Sequence, residues 1–153
     1  MSFNKSLNGW VFIDKPEGIT SFDVIRKVRN FTKIKKIGHS GTLDPFASGI
    51  LALAFGEATK SIQFISSIKE DEFSVTFGET RDTDDITGKV VRSNNQYPSL
   101  DEIKNCIPTF IGTIDQVPPI YSAVKVNGER AYKLARNGKN FELKSKKIEI
   151  YRL

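Results

Sequence analysis

The sequence predicts an α+β fold in which a mixed, mostly antiparallel sheet is flanked by helices. Strand-like and helix-like segments are interspersed along the 153 residues. Adjacent strand segments are often joined too closely for the long crossover that parallel strands require. Hydrophobic residues make up 39% of the chain and charged residues 27%, a balance typical of folded globular proteins rather than disordered ones.

The first part of the chain predicts two strands with a helix between them. Residues 10–13 form a short apolar run that enters a turn, as a strand does. Thr20 or Ser21 is expected to cap a helix, and the apolar face of that helix is predicted to contain Phe22, Ile25, Val28 and Phe31. A loop rich in small residues follows over residues 38–49, and the apolar run 50–55 predicts a buried strand.

Further helices and strands are predicted after residue 56. Helical spacing relates Ala58, Ile62 and Ile65, and strand alternation relates Phe73, Val75 and Phe77. An acidic turn at 82–88 leads into a strand at 89–91. A capping box at residues 99–102 opens a helix that continues through residue 107.

The last part of the chain predicts a strand at 123–126 and a helix at 129–136, with Gly138 as the C-terminal cap of that helix. Residues 148–153 predict a final strand, so the chain is expected to stop inside a strand. Because a natural domain seldom ends on a central strand, we expect a truncated domain.

Composition limits the possible functions. Lys and Arg outnumber Asp and Glu by 23 to 18, and the resulting net charge of +5 permits binding to nucleic acid without demonstrating it. Cys106 is the single cysteine, which favours a reducing compartment and predicts a cytoplasmic protein. His39 is the single histidine, so a structural zinc site is not expected. Neither a signal peptide nor a membrane-spanning run is predicted.

The most informative stretch is residues 38–51, which reads Gly-His-Ser-Gly-Thr-Leu-Asp-Pro-Phe-Ala-Ser-Gly-Ile-Leu. Its glycines allow the backbone to approach a ligand closely, and Pro45 biases Asp44 toward an extended conformation. The apolar strand that follows would hold the loop on a rigid support. From the residues alone, Asp44 is either a reactive carboxylate or part of an ordinary Asp-Pro turn. His39 is likewise either functional or an ordinary polar loop residue.

This stretch closely resembles the catalytic motif of the TruB and dyskerin-type pseudouridine synthases. Other blocks resemble the family in order and spacing, namely 15–21, 56–60, 82–85, 116–125 and 128–138. The resemblance extends from about residue 9 to residue 153 and is closer to the bacterial TruB branch. It implies a fold like the catalytic domain of these synthases. Residues 1–153 would then be the amino-terminal portion of that domain, without its C-terminal part and without a PUA domain.

The resemblance implies an enzyme that converts a uridine of RNA to pseudouridine, at position 55 in the T-loop of tRNA for the bacterial branch. Asp44 corresponds to the catalytic aspartate, which acts either as a nucleophile or as a base. His39 corresponds to a histidine that helps to hold the flipped-out nucleotide. No cofactor and no metal are implied. The expected partner is the tRNA T-stem-loop, with no membrane, and the expected state is a monomer.

The acidic turn has two interpretations. Its aspartates suggest calcium, but the EF-hand pattern requires Gly at its sixth position and Glu at its twelfth, where this chain has Thr87 and Ser93. Calcium binding is therefore not expected. The resemblance places this turn near the active site, which makes Asp85 a candidate for a substrate contact.

Two departures from the family pattern bear on activity. The family has a tyrosine that stacks on the target base seven residues before Gly78, and that position is Asp71 here. A later Lys-Gly-Thr-Tyr-Ile-Arg motif, whose arginine pairs with the catalytic aspartate, is absent from the 153 residues. We therefore expect little or no synthase activity from the chain alone. A non-catalytic RNA-binding remnant and an inactive fragment remain as alternatives to an enzyme.

Overall fold

Strands in this protein pair only in antiparallel fashion, within the residues that the structure describes. The structure is a computed structural model that describes residues 7–65 and 68–153. The chain divides into two units, Met1–Asp71 and Glu72–Leu153, and each contains helices together with antiparallel strands. The predicted α+β class is confirmed.

The first unit is built on a three-stranded sheet. Strands β1 (Gly9–Lys15), β2 (Ile37–Ser40) and β3 (Gly49–Phe55) lie in the order β1-β3-β2, so the apolar strand β3 is central. The prediction for 50–55 is confirmed, although the strand begins one residue earlier and Ile50 itself is exposed. Part of the predicted loop 38–49 is in fact β2, because residues 37–40 pair with the end of β3.

Helix α1 (Ser21–Thr32) covers one face of this sheet. Thr20 is its N-cap: the backbone N–H of Asp23 donates to the Thr20 hydroxyl, and the Asp23 carboxylate accepts from the Thr20 backbone N–H. The helix buries Val24 and Ile25 in a cluster completed by residues Ile34, Leu51, Leu53 and Phe55.

The predicted apolar face of α1 was half wrong. Ile25 and Val28 pack toward the core, but Phe22 is 61% exposed and Phe31 is 76% exposed. The helix is rotated so that Ser21 and Val24 face inward, because the smaller residues at 21, 24, 25 and 28 form a continuous stripe at helical spacing.

A 3₁₀ helix, Gly56–Phe64, follows β3 where helical spacing was predicted. Its Ile62 side chain lies close to the sheet, since a Cβ atom added to Gly38 would approach the Ile62 Cδ1 atom to 2.8 Å. This packing helps to explain why Ala54, on the face opposite α1, is buried as completely as its neighbours in β3.

The second unit contains three strand pairs and two short helices. The pairs are β4 (Glu79–Arg81) with β5 (Val90–Ser93), β6 (Gly112–Gln116) with β9 (Lys146–Ile150), and β7 (Lys125–Val126) with β8 (Glu129–Arg130). The helices are α2 (Leu100–Cys106) and α3 (Ala131–Arg136), and a 3₁₀ turn, Ile107–Phe110, follows α2.

Both predicted helix caps in this unit are confirmed. Ser99 and Glu102 form the capping box of α2. Gly138 has φ +67° at the end of α3. The Gly138 N–H donates to the carbonyl oxygen of Ala135, and the Lys139 N–H donates to the carbonyl oxygen of Leu134. These two bonds form a Schellman motif, in which the left-handed backbone at Gly138 ends the helix.

Several strand predictions in this unit were wrong. Residues 73–77 form no strand, and Phe73 and Val75 are exposed. The last strand ends at Ile150 rather than continuing to Leu153, and its partner β6 was not predicted. Alternation indicates which residues suit a strand, but a strand forms only where another backbone segment accepts and donates its hydrogen bonds.

Candidate active site

Asp44 begins a β-turn in the connection between β2 and β3. The backbone N–H of Ala47 donates to the Asp44 carbonyl oxygen at 3.1 Å, and Pro45 occupies the second position of the turn. Aspartate at the first position and proline at the second are favoured in such turns because proline has the required φ. The Asp44 side chain is exposed, so its carboxylate is open to a ligand from solvent.

The turn before α1 is hydrogen-bonded to Pro45, the residue that follows Asp44. The backbone N–H of Gly18 donates to the Pro45 carbonyl oxygen at 2.7 Å. The Lys15 side chain is completely buried, and its Nζ atom lies 2.9 Å from the carbonyl oxygen of Ile19, 3.0 Å from that of Pro16 and 3.5 Å from that of Pro45. The residue after Asp44 is thus tied to a turn that is itself organised around a buried ammonium group.

Ser21 holds the residue before Asp44. Its hydroxyl accepts from the Leu43 N–H and donates to the Leu43 carbonyl oxygen, both at 3.0 Å. The side chain of Leu43 packs against the core cluster of the first unit. Asp44 therefore projects from a loop whose backbone is held on both sides by residues 15–21.

His39 lies in β2, opposite Leu53 of β3, and is half buried. Its Nδ1 atom is hydrogen-bonded to the carbonyl oxygen of Gly41. A carbonyl oxygen can only accept, so Nδ1 donates in this contact, and Nε2 is the ring nitrogen that remains for a ligand. Gly41 has φ +76°, a left-handed backbone that glycine adopts without strain.

The other two predicted site residues, Asp71 and Asp85, belong to different units. Asp71 is exposed and belongs to the first unit with His39 and Asp44. Asp85 belongs to the second unit, where one carboxylate oxygen accepts from the Thr83 hydroxyl and from both the N–H and the hydroxyl of Thr87. Burial acts to raise the pKa of Asp85, but the hydrogen bonds from Thr87 and Thr83 hold it below its ordinary value.

Among residues 7–65 and 68–153, His, Cys, Asp and Glu side chains form no group of three that could hold a metal ion. None of the helices described is long and apolar enough to cross a bilayer.

The fold and the loop around Asp44 can be compared with known proteins. Residues 29–153 match the family described as TruB family pseudouridylate synthase (N terminal domain), and the chain belongs to this family. The family match begins inside α1, so residues 15–21, which contact the backbone on either side of Asp44, lie outside it.

Its relatives include the tRNA pseudouridine synthase B of Ehrlichia ruminantium (strain Gardel), which is 49% identical over 146 residues. That match covers 95% of this chain and 49% of the relative. The tRNA pseudouridine synthase B of Rhizobium johnstonii is 45% identical over 97% of this chain and 48% of its own length. The chain therefore spans about half the length of the curated relatives it matches.

A solved structure shows the same fold. A chain in the crystal structure of a Cbf5-Nop10-Gar1 complex superposes with a TM-score of 0.52 and 29% sequence identity. The superposition covers 76% of this chain and 31% of that chain. The predicted likeness to a pseudouridine synthase fold is confirmed.

Sequence reasoning recognised residues 15–21 as a family block and expected a helix cap at Thr20 or Ser21, but it predicted no contact between this block and the Asp44 loop. The structure shows that Lys15, Gly18 and Ser21 contact the backbone on either side of Asp44. The only signal in the sequence was the presence of two separate family blocks, and nothing in their spacing indicated that the blocks contact each other.

Proposed function

We propose that residues 1–153 are the amino-terminal portion of the catalytic domain of a tRNA pseudouridine synthase, which isomerises uridine 55 in the T-loop. In this reaction the C1′–N1 bond breaks, the uracil turns, and a C1′–C5 bond forms. N1 gains a proton and C5 loses one, so the reaction needs no redox partner and no outside group. Family membership and the names of the relatives support this assignment.

The observation on which the proposal depends is the setting of Asp44. Its carboxylate is exposed, while its two neighbours in the chain, Leu43 and Pro45, are held by hydrogen bonds to residues 15–21. Catalytic groups act efficiently when the surrounding structure fixes their position before the substrate arrives. An exposed carboxylate on a fixed loop can attack a sugar or base carbon, or remove a proton beside the breaking bond.

His39 is proposed to contact the flipped-out nucleotide through Nε2, since Nδ1 is engaged by Gly41. Asp85 is proposed as a second substrate contact, with its carboxylate oriented by hydrogen bonds from Thr83 and Thr87. The proposed partner is the T-stem-loop of tRNA. The exposed basic side chains of α1 and the segment after it suit contacts to phosphate, namely Arg26, Lys27, Lys33, Lys35 and Lys36.

We further propose a monomer in the cytoplasm. The single cysteine, Cys106, is free and exposed, which suits a reducing compartment. No second subunit is needed to assemble the proposed contacts, because His39 lies in β2 and Asp44 in the connection that follows it.

A non-catalytic RNA-binding protein is the second candidate, and Asp71 is the observation that favours it. The resemblance implies an aromatic ring at this position to stack on the target base, and an exposed carboxylate cannot stack. A carboxylate there also repels the phosphates of an RNA ligand. The two candidates differ in whether bound uridine is converted and whether conversion depends on Asp44.

The test uses two proteins. The first is the chain itself, incubated with unmodified tRNA and assayed for pseudouridine at position 55; little or no conversion is expected from half the length of a synthase. The second is a chimera in which residues 1–153 replace the matching half of the Ehrlichia ruminantium relative. The chimera is expected to convert the tRNA, and Asp44→Asn or Asp44→Ala in the chimera is expected to abolish conversion.

Asp14→Asn serves as the matched control, because Asp14 is another exposed aspartate of the first unit, located in β1. It is expected to leave conversion unchanged. Binding of tRNA without conversion by the unsubstituted chimera would favour the second candidate. Conversion that survives Asp44→Asn would refute the catalytic role of Asp44.

A further inference from the structure

We propose that Ser21 is a positioning residue for Asp44 and acts through the backbone of Leu43. This inference rests on the proposed function, because it concerns the location of the candidate catalytic carboxylate. The Ser21 hydroxyl accepts from the Leu43 N–H and donates to the Leu43 carbonyl oxygen, each at 3.0 Å. A hydroxyl group has one hydrogen to donate and two lone pairs, so one serine can hold both backbone groups of one residue.

Ser21 is itself held firmly. It is the first residue of α1, directly after the N-cap Thr20, whose side chain and backbone are both bonded to Asp23. The hydrogen bonds from Thr20 also hold the pKa of Asp23 below its ordinary value, so this carboxylate stays ionised and the cap stays formed in mild acid. Because Ser21 is only 2% exposed, water does not compete for its hydroxyl.

The contact acts directly beside Asp44. The Leu43 carbonyl group belongs to the peptide unit that joins Leu43 to Asp44, so a shift of that group moves the Asp44 backbone with it. The Leu43 side chain packs on the core and restrains translation, while the two bonds to Ser21 restrain rotation of the two peptide groups. A displacement of about 1 Å at a reacting group can cost roughly 100-fold in rate.

A purely structural role for Ser21 makes a different prediction. Loss of the two bonds would then lower the stability of the first unit and leave kcat unchanged in the folded protein. A positioning role requires kcat to fall while KM is kept, because the binding surface is intact and only the reacting carboxylate has moved.

The test compares variants in the chimera described above. Ser21→Ala is expected to lower kcat by about 10- to 100-fold and to change KM by less than about twofold. Ser21→Thr keeps the hydroxyl and is expected to recover most of the lost kcat. Ser21→Cys keeps a small side chain of the same connectivity with a weaker donor and acceptor, and it is expected to give an intermediate kcat. It replaces Ser21→Ala if that variant does not fold.

Ser61→Ala is the matched control. Ser61 lies in the 3₁₀ helix of the same unit, and its hydroxyl also donates to a backbone carbonyl oxygen, that of Ala58 at 2.8 Å. This variant loses a comparable bond away from the Asp44 loop, so its kcat and KM are expected to stay unchanged.

A second measurement does not depend on activity. In the chain itself, amide hydrogen exchange at Leu43 is expected to accelerate about tenfold or more in Ser21→Ala and to stay unchanged in Ser61→Ala, because the Leu43 N–H donates to the Ser21 hydroxyl. An unchanged exchange rate in Ser21→Ala would overturn the proposal.

The outcomes separate this inference from the proposed function. If Asp44→Asn abolishes conversion while Ser21→Ala keeps kcat within about twofold, Ser21 is not a positioning residue and the synthase assignment stands. If Asp44→Asn remains active, the assigned role of Asp44 fails, and the inference about Ser21 fails with it. If the unsubstituted chimera is inactive, the proposed function fails, and the exchange rate alone decides whether Ser21 holds Leu43.

Discussion

The backbone N–H of Gly18 donates a 2.7 Å hydrogen bond to the carbonyl oxygen of Pro45, which joins the turn after β1 to the turn that begins at Asp44. Gly18 has φ +82°, and the bond requires this left-handed backbone to direct its N–H toward the loop. The position of the exposed Asp44 carboxylate therefore depends on a glycine 26 positions earlier in the chain. That glycine contributes only its backbone N–H to the contact.

A side chain at position 18 is expected to destabilise the first unit only by straining the left-handed backbone at that position. A Cβ atom placed at Gly18 would meet no heavy atom within 4 Å, so steric contact adds nothing. Gly18→Ala is expected to lower the free energy of unfolding by about 1 kcal/mol, because left-handed backbone is costly for residues other than glycine. Gly18→Asn is expected to cost less, since asparagine tolerates this region better. Urea unfolding followed by fluorescence of Trp10, the single tryptophan, measures the change in this unit. Equal losses for Ala and Asn would contradict the explanation.

Removal of the Lys15 ammonium group is expected to deprive two carbonyl groups of the turn before α1 of this donor. Lys15 is 0% exposed, and its Nζ atom lies within 3.0 Å of the carbonyl oxygens of Pro16 and Ile19. Lys15→Met keeps the length of the side chain and is expected to lower the free energy of unfolding by about 1–3 kcal/mol, the usual cost of unsatisfied buried acceptors. The same urea experiment measures it.

Lys60→Met is the control for Lys15→Met. The Lys60 side chain is exposed and is paired with Glu57 at the surface, where ion pairs contribute little, so a much smaller loss of stability than in Lys15→Met is expected. Similar losses in the two variants would mean that burial of the Lys15 ammonium group is not what matters.

Glu57 is expected to make a small, acid-sensitive contribution to the stability of the first unit, since Glu57 and both of its lysine partners are exposed. Hydrogen bonds from Lys36 and Lys60, each at 2.5 Å, lower the pKa of Glu57 from 4.5 to about 2. The unfolded chain therefore binds this proton at a higher pH than the folded chain does. The contribution of Glu57 to stability is complete above pH 4.5 and is lost as the pH falls toward 2.

Thermal unfolding followed by Trp10 fluorescence across that pH range checks this expectation. The Tm of the unsubstituted chain is expected to fall more steeply with acid than that of Glu57→Gln. The difference is expected to shrink at about 1 M salt, because dissolved ions weaken ion pairs between exposed side chains. Parallel pH profiles for the two proteins would show that the carboxylate of Glu57 is not the group responsible.

An aromatic ring at position 71 is expected to increase synthase activity. The resemblance implies a base-stacking tyrosine where this chain has an exposed Asp71, and a stacked base is worth about 1–3 kcal/mol. In the chimera, Asp71→Tyr is expected to raise kcat/KM for tRNA by about 5- to 150-fold. Asp71→Asn removes the charge without adding a ring and is expected to recover only a small part of the gain. Equal gains for both variants would assign the effect to charge rather than to stacking.

The residues that the sequence alone identified are those defined by local chemistry. The helix cap at Thr20 or Ser21, the capping box at Ser99 and the C-terminal cap at Gly138 involve neighbours within five residues, so short-range patterns predict them. The loop with Asp44 was recognised through its resemblance to a family motif, which occupies the unbroken stretch 38–51. The antiparallel class followed from short connections between strands, which are also visible in the sequence.

Only the tertiary structure decided which distant segments meet. The contacts of Lys15, Gly18 and Ser21 with residues 43–45 span more than twenty positions, and no local pattern predicts a contact over that separation. The exposure of Phe22 and the lack of a strand at residues 73–77 could not be predicted from the sequence either. Both depend on which other segments pack or pair with these residues. Local sequence sets what a segment can form, whereas burial and pairing depend on the partner that the folded chain brings to it.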